Sequence, residues 1–151
     1  MQQIEHFYAK ATAFCKYISE ATISESSVEL LLVLIMKLYV SGVKLHDMKT
    51  DTGDPVKNVS NLYVNADENL FPYYWEIFDH LEEILSICGH LIDDIEEIAS
   101  NMMNDIKEYE LGKFGNAVFT WKFGLNTIWG KNATDAIRAL HALRVKDAPY
   151  C

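Results

Sequence analysis

Between Leu91 and Tyr109 the chain carries Asp94 and Glu97 as an acid-x-x-acid pair, with Asp105 further along. Hard divalent cations want clustered carboxylate oxygens, and such pairs on bundle helices hold Mg²⁺ or Mn²⁺ in the all-α nucleotide pyrophosphohydrolases. Those enzymes need a second acidic pair on another helix. Glu82 and Glu83 are the nearby candidates, and their spacing is wrong for one helix face. The competing reading is a solvated acidic face. At about 100° per residue, Asp93, Glu97, Asn104 and Glu108 lie opposite the apolar stripe, while Asp94, Asn101 and Asp105 lie at its edge. His90 and Asp94 stand four apart, with Gly89 beside them, and no Glu-x-x-His pair of the di-iron type occurs.

A second set lies near the C-terminus. Arg138 falls between Asp135 and His141 on a helical wheel, which suggests an anion or carboxylate pocket with the guanidinium as a forked donor. The plainer alternative is a local Asp135–Arg138 ion pair worth about 0.2–0.5 kcal/mol. Trp121 and Trp129 read first as core residues whose indole N–H groups need a partner, and second as stacking surfaces for a ligand. Tyr73, Tyr74 and Trp75 open a dense aromatic patch that would suit a protein contact. No Gly-rich phosphate loop, Ser-x-x-Lys, Gly-x-Ser-x-Gly or His-Glu-x-x-His occurs, which argues against a nucleophilic hydrolase.

The elements that must position these residues are helical. Ile4, Phe7, Tyr8, Ala11, Phe14, Cys15 and Ile18 give one apolar face from about Gln2 to Glu20. A helix from about Ser27 to Lys44 is apolar nearly all round, as is one from Phe114 to Trp129, so both are expected to be central. Leu91 to Tyr109 keeps helical spacing without a miss. Pro72 suits the first turn of a helix running toward Cys88, with Gly89 closing it. Gly130 reads as an interruption, after which Asn132 would cap a last helix. Residues 45–72 read as a long loop, with Val59 to Val64 either a short strand or a helical turn. The expectation is an all-α bundle of five or six helices with two central apolar ones, forming a single domain over residues 1–151.

Composition sets the outer limits. The chain has 151 residues, half of them apolar, with 13 Lys and Arg against 22 Asp and Glu, a net charge of −9. Disordered and collagen-like classes are excluded. Residues 66–110 hold 13 acids with Lys107 as the one base, whereas 113–151 hold 2 acids and 6 bases. Six bases over that length are a poor footprint for phosphates, so no nucleic-acid partner is expected. The longest apolar run, Leu30 to Met36, is far shorter than a span of about 20 residues, and Met1 to Glu5 lacks the pattern of a secretory leader. Neither a membrane partner nor a leader is expected. Cys15, Cys88 and Cys151 form no metal-binding spacing, Cys15 and Cys88 fall on apolar stripes, and a reducing cytoplasm fits them.

The run Ala117-Val118-Phe119-Thr120-Trp121-Lys122-Phe123, followed by Trp129-Gly130-Lys131-Asn132-Ala133-Thr134-Asp135-Ala136-Ile137-Arg138-Ala139-Leu140-His141, resembles the C-terminal signature of a bacterial domain-of-unknown-function family, DUF family 5063. Tyr74-Trp75-Glu76-Ile77-Phe78-Asp79 and Leu91-Ile92-Asp93-Asp94-Ile95 resemble two further blocks of it. The chain departs in having Asn132 where the family usually has His, and His80 where it usually has Pro. The resemblance implies an α-helical, cytoplasmic bacterial protein and implies no activity. The leading functional expectation is therefore a non-enzymatic interaction domain without a cofactor, binding a protein through its acidic face or through the aromatic patch at Tyr73. The alternative is a Mg²⁺- or Mn²⁺-dependent phosphohydrolase using Asp94, Glu97 and Asp105, with Arg138 gripping phosphate.

Overall fold

The computed structural model describes residues 1–52, 62–70, 72–75 and 88–146. Among the described residues five helices dominate: α1 (Gln2–Glu20), α2 (Val28–Val43), α3 (Leu91–Glu110), α4 (Phe114–Thr127) and α5 (Trp129–Arg144). Each buries the stripe its spacing predicts. Phe7, Ala11, Phe14 and Ile18 of α1 meet Leu31, Ile35 and Leu38 of α2, Ile95, Ile98 and Met102 of α3, Val118 and Trp121 of α4, and Trp129, Ala133 and Leu140 of α5 in one apolar core. The all-α bundle is the fold.

Among the described residues four short strands accompany the helices. β1 (Thr22–Ile23) pairs in parallel with β2 (Asn65–Ala66), and β3 (Tyr73–Trp75) pairs antiparallel with β4 (Cys88–His90). This corrects the reading of a helix that starts at Pro72: the aromatic run Tyr73-Tyr74-Trp75 is extended, as its strand propensity favours, while the rest of that expected helix, residues 76–87, lies outside the described residues. Gly89 lies within a strand instead of closing a helix. Cys88 is exposed on that strand, not the core thiol its spacing suggests, and it is disulfide-bonded. Cys15 is buried as expected, and loss of water pushes its thiol up to about 12. The undecided stretch 59–64 lies outside the described residues up to 61, and 62–64 forms no regular element.

Helix ends show how the bundle is wired. α3 stops in a Schellman motif: Gly112 takes φ +77°, its N–H donates to the Tyr109 carbonyl at 2.9 Å, and the Lys113 N–H donates to the Glu108 carbonyl at 3.0 Å. α4 has no capping side chain of its own at Lys113. Asp51, from the segment after α2, supplies one: its carboxylate accepts from the Asn116 N–H at 3.1 Å, while the Asp51 N–H donates to Asn116 Oδ1 at 3.0 Å. An Asp47–Lys122 ion pair pins the same segment. α5 starts at Trp129, so Gly130 lies inside the helix and Asn132 is not its cap. Trp129 holds that early start because its ring is fully buried and its indole N–H donates to the Trp121 carbonyl at 2.9 Å.

The two nearly all-round apolar helices are not sealed on every side. α2 buries Leu31, Ile35 and Leu38 but leaves Val33, Met36, Val40 and Val43 between 43% and 60% exposed. On α4, Phe119 and Phe123 are more than half exposed and stack on each other with ring centroids 6.2 Å apart. Segment Glu25–Val43 has a mean hydropathy of 1.7, and by length and composition it could cross a membrane. Its inner stripe is nevertheless part of the bundle core.

Candidate functional site

The sequence-selected residues converge most closely where β3 and β4 meet the start of α3 and the outer side of α5. β3 delivers Tyr74, which is 1% exposed, and its hydroxyl donates to the Asp94 carboxylate on α3. The Arg138 guanidinium lies over the Tyr74 ring at 5.3 Å from its centroid. Asp94 and Arg138, far apart in sequence, are thus joined through one phenol. Gly89 is the register partner of Tyr74, and a Cβ there would run into the phenol ring, so only glycine lets the ring lie flat across the strand.

His90 caps α3. Its Nδ1 lies 3.3 Å from the Asp93 N–H and 3.1 Å from Asp93 Oδ1. Nδ1 accepts from the first only without a hydrogen and donates to the second only with one, so the two contacts need different hydrogen placements on the ring. His90 therefore pairs three residues on, with Asp93, and Tyr73 packs edge-on against its ring at 5.0 Å.

The three carboxylates proposed as metal ligands are not brought together. From Asp94 to Asp105 the helix rises roughly 16 Å at 1.5 Å per residue, whereas one cation needs its oxygens about 2–2.6 Å away. Asp94 faces Tyr74. Glu97 is exposed, with its Oε1 accepting from Asn101 Nδ2 at 3.2 Å. Asp105 faces α4. Burial pushes the Asp105 carboxyl up to about 7, the Thr120 hydroxyl pulls it partly back, and the nearby Glu108 charge adds to the rise. Among the described residues no three His, Cys, Asp or Glu side chains are grouped to hold a metal ion. Glu108, expected in water, is buried and lies 3.7 Å from Lys113, because α4 covers that side of α3.

The anion pocket at the C-terminal helix is also dispersed. Asp135 pairs with Lys131 at 2.7 Å, one turn before the Arg138 pairing that the spacing suggested. His141 is exposed, while Trp121 and Trp129 are fully buried. Arg138 lies over the Tyr74 ring. In the aromatic patch Tyr73 is 48% exposed and Tyr74 is internal; the side chain of Trp75 lies outside the described residues, as do residues 76–87.

The family model described as a domain of unknown function, DUF5063, matches residues 1–146. The chain belongs to the DUF5063 family. The structure of protein BF1032 from Bacteroides fragilis superposes with a TM-score of 0.65 over 95% of this chain and 96% of that one, at 15% identity. At that identity the likeness is one of fold. No curated protein matches the chain.

In this DUF5063 domain, sequence reading missed two features. One is the pairing of Tyr74 with Gly89, which needs the strand register to be seen. The other is the outward apolar stripe of α2. Its signal was present: a helix apolar on all faces has one apolar face too many unless neighbours surround it.

Proposed function

We propose that this DUF5063 domain is a non-catalytic docking module that binds protein through the outward apolar faces of α2 and α4. The observation that carries this reading is the solvent exposure of Val33, Met36, Val40 and Val43 on α2. Leaving four contiguous apolar side chains in water is unfavourable at roughly 25 cal/mol per Å², and contiguous patches of this kind are where soluble domains meet partners. The exposed Phe119–Phe123 pair on α4 supports it, since aromatic anchors dominate protein interfaces. The acidic face of α3 supports docking less, because solvated carboxylates at an interface must be dehydrated or paired.

Photo-crosslinking in cells tests the proposal. A benzophenone amino acid replacing Val33 or Phe119 should give discrete higher-mass adducts, and one replacing Glu97 should not. Equal or absent crosslinking at all three positions would remove the reading.

A further inference from the structure

We propose that Asp105 and Thr120 form a one-proton latch between α3 and α4: the protonated carboxyl donates to the Thr120 hydroxyl, and loss of that proton loosens α4 from α3. The direction of hydrogen bonding carries this. A threonine hydroxyl has a single hydrogen to give. Thr120 gives it back along its own helix, to the Asn116 carbonyl at 2.9 Å, with the Ala117 carbonyl at 3.2 Å. Toward the Asp105 carboxyl, which faces it across the α3–α4 contact, the hydroxyl then offers a lone pair and no hydrogen. Asp105 has to be the donor, and only its acid form has a hydrogen to donate. Once the acid ionises, two acceptors face each other unless the hydroxyl swings off the α4 backbone to the carboxylate. One hydrogen cannot serve both sides.

The surrounding charges favour the proton. Glu108, one turn further along α3, is buried and lies 3.7 Å from Lys113, just before α4. Among the described residues no second cation faces Asp105, and the charge that acts on it is that of Glu108. Lys107 points about 200° away around α3. On α4, Lys122 is engaged with Asp47. From α1, the Tyr8 hydroxyl goes to Glu110 and the charge of Glu5 acts on Tyr109. The cations of α5 are also placed elsewhere: Lys131 pairs with Asp135, Arg138 lies over Tyr74, and Arg144 pairs with Glu29. Two carboxylates thus share one cation, and ionising the second sets a like charge where little water reaches it. The closed latch keeps its proton up to about pH 7, whereas an opened one releases it near the ordinary carboxylate value. Opening therefore becomes easier as pH rises between those values and levels off above them. The latch stands whether or not α4 docks a partner.

Hydrogen exchange read by mass spectrometry on the full chain tests this, with rates corrected for the intrinsic effect of pH. Opening of α4, measured against α5, is expected to rise at least about tenfold from about pH 5 to pH 8 and then to level off. Asp105→Asn, whose amide donates to Thr120 at any pH, should keep α4 protected throughout. Glu108→Gln should move the transition to lower pH. Infrared difference spectra across the same range supply a second readout: the wild type should lose a carboxylic-acid C=O band that Asp105→Asn lacks. Absence of that band, or exchange in Asp105→Asn that follows the wild type with pH, overturns the proposal. Equal loss of protection in α4 and α5 overturns the latch in favour of unfolding of the whole bundle.

Discussion

Asp105 shows how a carboxylate changes role with its surroundings. On the helical wheel it sits at an edge; in the fold it faces Thr120 across the α3–α4 contact, with Glu108 three residues on along its own helix. Its carboxyl rises from 3.8 to about 7, so between those values the folded chain holds a proton that the unfolded chain has released. Stability from this group is then complete below about pH 4 and falls as pH rises through 7. Asp105→Asn removes that dependence. Urea titrations should show the variant gaining roughly 1–3 kcal/mol on the wild type between pH 5 and pH 8; a constant difference would contradict the assignment. Gly89 makes the opposite point, that an absent side chain can be specific. Gly89→Ala forces a methyl group into the Tyr74 ring and should cost about 1–3 kcal/mol in the same assay, with near-wild-type stability as the contrary result.

At the scale of elements, helix existence was legible and helix termination only partly so. The Schellman stop at Gly112 follows from local chemistry, and a glycine just past a periodic run announces it. The start of α4 does not, because its cap comes from Asp51, 65 residues before Asn116. Asp51→Ala should lower stability by about 0.5–2 kcal/mol and raise amide hydrogen exchange at the first turn of α4; unchanged exchange there would show that the cap adds nothing. The strand pair Tyr73–Trp75 with Cys88–His90 was misread as helix because short aromatic runs carry no decisive period, and its pairing spans more than a dozen residues.

For the whole molecule, the candidate chemistry was legible as residue types but not as a site. Asp94 and Arg138 do come together, through Tyr74, whose hydroxyl donates to Asp94 and whose ring lies under the guanidinium. Asp94, Glu97 and Asp105 are spread along α3. Thermal unfolding of metal-stripped protein should therefore be indifferent to millimolar Mn²⁺. A bound ion at 100 times its dissociation constant would add about 2.7 kcal/mol, and a rise of several degrees abolished by Asp94→Asn would restore the metal reading.

The sequence by itself determined the helices, their buried stripes and the family, because 3.6-residue periodicity and apolar burial act within each segment. Only the tertiary structure decided which polar groups meet and which apolar face stays outside. Those outcomes depend on how helices pack against one another: α4 covering Glu108, β3 delivering Tyr74 between Asp94 and Arg138, and no described element covering Val33, Met36, Val40 and Val43 on α2.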